Sequence, residues 1–167
     1  MIARRILYPM ESLDVETELV QAQKVLRITL SEKQKQAVRM VFANPISIIT
    51  GGPGTGKTTV LKVILYIHGM KCKSEVQLMA PTGRAARRMA ESTGNQNAST
   101  MHMAMGLLGE DYTAEFAYLE AGFVNVDETS MVDMRLAYEF FQRVKGNTRI
   151  LLVGDVDQLP SVGAGDV

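Results

Sequence analysis

Residues 46–59 of this 167-residue chain read ISIITGGPGTGKTT, and this segment is the strongest indication of its architecture. It begins as a short β-branched run, continues as a glycine-rich loop, and leads into residues 57–68, whose apolar spacing is helical. The loop matches G-x-x-x-x-G-K-[ST] in the strand-to-helix context that this pattern requires. An ordinary glycine-rich turn that binds nothing is the alternative, but it needs neither a lysine here nor the entropic cost of four glycines. We therefore predict a phosphate-binding loop.

The residues of this loop have separable chemical roles. Glycines let consecutive backbone N–H groups surround a polyphosphate, and the start of the following helix adds the positive end of its dipole. Lys57 is expected to bind the β and γ phosphates, and Thr58 to offer its hydroxyl to Mg²⁺. The expected cofactors are ATP and Mg²⁺, and the predicted nucleotide-binding residues in the loop are Gly52, Pro53, Gly54, Thr55, Gly56, Lys57, Thr58 and Thr59.

A bound Mg-nucleotide also requires acidic groups at the end of a neighbouring strand. Asp127 and Glu128 directly follow the apolar run 123–126. We predict that Asp127, with Thr58, holds the metal, and that Glu128 orients and deprotonates the attacking water. An Asp-Glu pair is more often part of a solvated loop, and it is the presence of the phosphate loop that favours the catalytic interpretation.

Strands and helices alternate along the chain, which predicts an α/β fold with a parallel sheet and helices on both faces. Gly69 is expected to end the helix that follows the loop, and residues 92–100 are expected to form a polar loop. The predicted strands are 46–50, 76–80, 123–126 and 149–153, and the predicted helices are 12–28 (with Ser12 or Asp14 as N-cap), 31–44, 57–68, 83–91, part of 114–121, and 131–144.

Composition excludes several classes of protein. No apolar run approaches the roughly 18 residues of a membrane helix, and the N-terminus lacks a secretory signal, so a cytoplasmic protein without membrane contact is expected. The single cysteine, Cys72, and the absence of Cys/His clusters argue against zinc. Net charge is zero, but residues 81–108 carry three arginines against one glutamate, so this segment is the expected anion-binding surface.

The chain resembles superfamily 1 helicases, most closely the RecD-like DNA helicases, over residues 30–167. The resemblance implies a RecA-like P-loop NTPase fold for residues 30–167, with residues 1–29 as a helical accessory segment. It is carried by the glutamine motif at 30–34, motif I at 51–59, motif Ia at 80–86, a short segment at 99–102, motif II at 126–133 and motif III at 152–160. Asn125 stands where the family has an apolar residue, which predicts a less buried strand.

Two glutamines gain roles from this resemblance. Gln34 would contact the edge of adenine, since an amide offers one donor group and one acceptor. It could equally close a capping box with Ser31, and the two roles are compatible because the two ends of the amide are separate. Gln158, after the last predicted strand, would act catalytically by sensing the γ phosphate; otherwise it is a solvated loop residue.

Single-stranded DNA is the partner that the resemblance implies. Arg84, Arg87 and Arg88 share one helix face, which could bind DNA phosphates or be a solvated face paired with acids; Arg84 could instead brace the nucleotide site. Because this segment has no aromatic residue for stacking, backbone contact with strong salt dependence is expected. The candidate DNA-binding residues are Thr82, Arg84, Thr100 and His102.

The family's second motor domain, which supplies arginines to the γ phosphate, has no counterpart in these 167 residues. We therefore expect the first motor domain of a longer helicase, with recombination or repair subunits as further partners. Because such an arginine is worth about 10³–10⁵ in turnover, the isolated chain should hydrolyse ATP slowly. A phosphate-loop ATPase of another class, without DNA coupling, is the alternative.

Overall fold

The computed structural model describes residues 10–107 and 117–155, which form a parallel sheet with α-helices on both faces. A 3₁₀ turn, Thr129–Met131, precedes the last helix. The helices are α1 (Glu16–Leu26), α2 (Glu32–Ala43), α3 (Lys57–Lys71), α4 (Gly83–Thr93), α5 (Met101–Ala104) and α6 (Met134–Arg143). The strands are β1 (Ile46–Thr50), β2 (Val76–Ala80), β3 (Ala98–Thr100), β4 (Phe123–Val126) and β5 (Arg149–Gly154).

The sheet has the order β1-β5-β4-β2-β3, and every pair is parallel. In the register, Thr50 lies opposite Gly154, and Val126 lies opposite Leu152. All carboxyl ends therefore meet at one edge, where open α/β sheets bind their ligands. The phosphate loop, Asp127 and the residue after Gly154 all begin at this edge.

Side chains alternate between two cores, as a sheet covered on both faces requires. On one face Leu78, Phe123 and Leu151 pack with buried residues of α1, α2, α3 and α4. On the other face Met79 and Val124 pack with buried residues of α5 and α6. The predicted fold class is confirmed in the described residues. None of the helices in these residues is long and apolar enough to cross a membrane.

The N-terminal helix differs from the prediction at its start and in its buried face. It begins at Glu16 rather than at residue 12, and the Leu13 N–H of the preceding non-helical segment bonds to the Phe42 carbonyl of α2 at 3.0 Å. Val15 is the N-cap, and Asp14 only accepts a bond from the Glu16 N–H at 3.1 Å. Leu19 is buried as predicted, whereas Val20 is 66% exposed. The helix packs in the same core as α3, while the boundary at residue 30 stays a prediction.

Three other predicted segments differ from the structure in the described residues. Gly69 lies inside α3, which continues to Lys71, and Gly69 does not adopt the left-handed backbone of a helix-ending glycine. The polar loop expected at 92–100 contains the end of α4, a left-handed Gly94 and strand β3, which pairs with β2. Between residues 114 and 121, residues 114–116 lie outside the described residues, and 117–121 are not helical: Leu119 forms a bridge with Val144.

Strand β4 is the most deeply buried of the strands, contrary to the expectation drawn from Asn125. All four of its residues are buried because β4 lies between β5 and β2 and is covered on both faces. Asn125 is 0% exposed, and its amide nitrogen contacts Met89 Sδ at 3.3 Å. Helix α6 begins at Met134 rather than at 131, because Asp133 is its N-cap and accepts a bond from the Leu136 N–H at 2.7 Å.

Candidate active site

The phosphate loop leaves β1 at Thr50 and enters α3 at Lys57. Gly54 and Gly56 have φ values of 75° and 83°, which lie in the left-handed region that L side chains rarely adopt. Gly56 is the N-cap of α3 and supplies no capping side chain. The first N–H groups of this 15-residue helix therefore point toward the loop, in the arrangement that binds phosphate.

The Lys57 ammonium lies inside the loop. It donates hydrogen bonds to the Gly51 carbonyl and, at 3.0 Å, to the Gly52 carbonyl. It also lies 3.8 Å from Asp155 Oδ2. The structure thus places Lys57 at the predicted site, in contact with the backbone that is expected to surround the phosphates.

Asp127 and Glu128 occupy the turn after β4. The Asp127 N–H bonds to the Met79 carbonyl at 2.9 Å, and Asp127 Oδ1 accepts a bond from the Glu128 N–H at 2.9 Å. Burial raises the pKa of Asp127, opposed by that N–H and by the positive charge of Lys57. The cost of a buried carboxylate falls when a cation lies nearby, which suits a residue expected to face Mg²⁺.

Glu128 has a left-handed backbone, with φ 52° and ψ 42°. For a residue other than glycine this conformation costs about 1–2 kcal/mol, and such strain is concentrated at functional sites. Burial, and then the neighbouring Asp127 charge, raise the pKa of Glu128, while Arg88 and Arg84 of α4 lower it. A carboxylate with a raised pKa is a stronger general base.

Thr129 holds this strained turn in place, a role that the sequence did not reveal. Its hydroxyl donates to the Val153 carbonyl of β5 at 3.1 Å. A Cβ atom on Gly154 would lie 2.7 Å from Thr129 Oγ1, so Gly154 provides the space that this contact needs. Thr129 follows the acidic pair directly in sequence, and that adjacency was the only available signal.

The residues fit a Mg²⁺ ion that arrives with a nucleotide. Thr58 lies exposed in the first turn of α3, and among the described contacts its hydroxyl makes no hydrogen bond. In residues 10–107 and 117–155 no group of three or more His, Cys, Asp or Glu side chains could hold a metal by itself. Mg²⁺ commonly binds through one or two protein oxygens, substrate phosphates and water, so Thr58 and Asp127 would be a sufficient donor set.

Gln34 joins the start of α2 to the phosphate loop. The predicted capping box is present: Gln34 Oε1 accepts a bond from the Ser31 N–H at 2.9 Å, and Ser31 Oγ accepts one from the Gln34 N–H at 3.3 Å. Gln34 Nε2 donates to the Thr55 carbonyl at 3.1 Å. Each end of the amide retains one further hydrogen-bonding position, so the adenine contact stays a prediction.

The candidate DNA-binding residues lie at the same sheet edge. Thr82 caps α4 by accepting from the Ala85 N–H at 3.2 Å, and Thr100 caps α5 by accepting from the Met103 N–H at 3.1 Å. Each hydroxyl hydrogen remains available as a donor. Thr100 also lies beside the start of α4: a Cβ atom added to Gly83 would be 4.0 Å from the methyl carbon of Thr100. The partly exposed His102 lies in α5, and its role stays a prediction.

Helix α4 presents Arg84, Arg87 and Arg88 to solvent. Among the described residues, none of the ion pairs includes these three arginines. This disfavours the alternative in which the basic face is neutralised by acids, although the charges of Arg84 and Arg88 act on Glu128. Gln158 lies outside the described residues.

Known proteins match the sequence of this chain over most of its length. A family model described as an AAA domain matches residues 34–164. The RecBCD enzyme subunit RecD of Haemophilus influenzae is 40% identical, over 80% of this chain and 25% of its own length. The ATP-dependent RecD2 DNA helicase of Deinococcus radiodurans is 39% identical, over 85% of this chain and 20% of its own length. The chain thus spans about a quarter or less of these curated relatives.

Solved structures agree on the fold. The Pif1 helicase from Candida albicans superposes with a TM-score of 0.59 at 26% identity, covering 81% of this chain and 34% of its own. A Bacteroides Pif1 complex with ADP-AlF4 gives a TM-score of 0.60 at 22% identity, over 81% and 34% of the two chains.

Proposed function

This chain belongs to the AAA domain family, as a RecD-like first motor domain with the RecA-like P-loop NTPase fold, and we propose that it hydrolyses Mg-ATP to move a longer helicase along single-stranded DNA. The observation that carries the proposal is the meeting of the 51–56 loop, Lys57, Asp127 and Glu128 at one sheet edge. The proposed location is the cytoplasm, where ATP and DNA are found together.

The loop and the first turn of α3 would bind the triphosphate through backbone N–H groups, with Lys57 on the β and γ phosphates. Thr58 and Asp127 would hold Mg²⁺, which when bound offsets charge on the transferring phosphoryl group. Glu128 would accept a proton from a water molecule while the oxygen of that water attacks the γ phosphorus. ADP would leave with the bridging oxygen. Gln34 would contact adenine, and Gln158 would sense the γ phosphate.

Turnover by these 167 residues alone should be slow. In the proposed full-length protein, a second motor domain would supply arginines to the γ phosphate, a contribution worth about 10³–10⁵ in rate in other phosphate-loop enzymes. Translocation would come from the two domains closing and opening around ATP. Recombination or repair subunits are proposed as further partners, in keeping with the RecD names of the relatives.

DNA would be held mainly through its phosphates by the exposed face of α4, with Thr82, Arg84, Thr100 and His102 as candidate contacts. The supporting observation is that these three exposed arginines form no ion pair among the described residues. Such contacts carry little sequence preference and weaken steeply with salt.

Nucleotide binding is tested by titrating the chain with a fluorescent Mg-ATP analogue. Lys57→Ala should abolish measurable affinity. Glu128→Gln should bind nucleotide as the wild type does, while its turnover falls by about 10²–10⁴ because the general base is lost. Unchanged turnover in Glu128→Gln would show that another group removes the proton.

DNA coupling is tested by titrating a fluorescent oligonucleotide at several salt concentrations. Replacing Arg87 with Gln should lower the magnitude of the log–log salt slope by about 0.7, the value for one phosphate contact on a single strand. Lys24→Gln on the exposed face of α1 is the matched control and should leave the slope unchanged. Nucleotide binding without any oligonucleotide binding would instead support a phosphate-loop ATPase of another class.

A further inference from the structure

Asp155 is a buried acid at the sheet edge where the carboxyl ends of the strands meet. No individual role was predicted for this residue from the sequence. It directly follows Gly154 of β5, the strand between β1 and β4. Gly154 lies opposite Thr50, the last residue before the phosphate loop, so Asp155 lies beside the start of that loop. Its side chain is only 2% exposed. A carboxylate this deeply buried needs nearby positive charge or hydrogen-bond donors.

Lys57 provides positive charge at 3.8 Å from Asp155 Oδ2. That distance exceeds a hydrogen bond, so the interaction is one of charge, whereas the Gly51 and Gly52 carbonyls accept hydrogen bonds from the same ammonium. An ammonium has three N–H donors and no acceptor. The two carbonyls and the carboxylate therefore use the donors and the charge that phosphate oxygens would require.

We propose that Asp155 is a positioning residue for Lys57, which holds the ammonium against the loop carbonyls and competes with the phosphates for it. The inference rests on the proposed nucleotide site. If Asp155 competes in this way, Lys57 must separate from Asp155 when a nucleotide binds, and the free energy of that separation weakens the observed affinity. Removing the negative charge while keeping the shape of the side chain should therefore tighten nucleotide binding.

The test compares wild type with Asp155→Asn in the 167-residue chain, with Mg-ADP titrated by calorimetry. We expect Asp155→Asn to bind roughly three- to tenfold more tightly, the range expected for losing a partly buried competing ion pair. Asp155→Glu, which keeps the charge, should bind within about twofold of wild type. Unchanged or weaker binding by Asp155→Asn overturns the proposal.

A second measurement separates positioning from direct repulsion between Asp155 and phosphate. The rate at which a neutral amine-reactive ester acylates Lys57 is followed by mass spectrometry without nucleotide, with the exposed Lys24 as internal reference. Asp155→Asn should raise the Lys57 rate several-fold relative to Lys24. An unchanged relative rate, even with tighter Mg-ADP binding, assigns the effect to direct repulsion and overturns positioning.

A wild-type measurement keeps the proposal testable if Asp155→Asn fails to fold. Crystal structures grown with and without Mg-ADP should show Lys57 Nζ leaving the Gly51 and Gly52 carbonyls and moving away from Asp155 when the nucleotide binds. An unchanged Lys57 position overturns the proposal. A wild-type chain that binds no Mg-ADP refutes the proposed function itself, and in that case the acylation rates still report on the Lys57–Asp155 contact.

Discussion

Substituting Gly56 with alanine should destabilise the protein through two separable effects. With φ at 83°, an alanine there incurs about 1–2 kcal/mol of backbone strain. Its Cβ would also lie 2.5 Å from Gln34 Nε2, so the amide must move away from the Thr55 carbonyl, to which it donates at 3.1 Å. Losing that bond and disturbing the capping box adds about 1–2 kcal/mol, for a total of about 2–4 kcal/mol.

Two other glycines provide matched controls. Gly54 has φ 75° but nothing within 4 Å of a Cβ, so Gly54→Ala should show the strain alone. Gly69 lies inside α3 without a positive φ or a close neighbour, so Gly69→Ala should stabilise the chain by about 0.5–1 kcal/mol. The free energy of unfolding is measured by urea titration with circular dichroism at 25 °C.

A double-mutant cycle tests the role of Gln34. In a Gln34→Ala background the close contact is gone, so Gly56→Ala should cost no more than Gly54→Ala does in the wild type. If Gly56→Ala costs as much in that background as in the wild type, the contact with the Gln34 amide is not what makes alanine unfavourable. The hydrogen bond between Gln34 and the loop would then contribute nothing to the free energy of unfolding.

Four further predictions concern buried, charged and helix-capping groups. Burial raises the pKa of Asp127 above its ordinary 3.8, so the contribution of this group to stability is present below that value and is lost as pH rises through the folded pKa. Asp127→Asn should therefore unfold at a higher urea concentration than the wild type at pH 7. This difference should vanish near pH 3. Asp133→Ala, which removes the α6 cap, should instead lose about 1 kcal/mol at pH 7 in the same titration. Arg88→Gln removes a charge that lowers the pKa of Glu128, so the acidic limb of the kcat–pH profile should move to higher pH, whereas an unmoved limb excludes Glu128 as the titrating base. Asn125 Oδ1 is buried without a hydrogen-bond partner among the described residues, so Asn125→Leu should raise the free energy of unfolding by about 1 kcal/mol, and a loss of stability would show that the amide is satisfied.

The strand, loop and helix that form the phosphate loop could be predicted because each of these parts is a local pattern in the sequence. A β-branched run, a glycine-rich loop and a helix read in order along the chain, and their geometry depends on few distant residues. The Ser31–Gln34 capping box is equally local, and it formed as predicted. In contrast, the bond from Gln34 to Thr55 joins segments 21 residues apart, and nothing in the local pattern specifies it.

Errors arose where tertiary contacts outweigh local preference. Gly69 has the residue type of a helix end but lies inside α3. The three residues of β3 are too short and too polar to resemble a strand, and they form one because β2 offers an unpaired edge. Asn125 was misjudged since burial depends on the position of β4 between two strands rather than on its own side chain.

The hydrogen bond from Thr129 to β5 makes the position of the turn after β4 depend on the end of β5. Val153 receives the hydroxyl that fixes the turn carrying Glu128, and Asp155, two residues later, faces Lys57. In the proposed function, the positions of Glu128 and of Lys57 would therefore both depend on the same three backbone residues, 153–155. A substitution that displaces this segment should therefore alter the general base and the phosphate-binding lysine together.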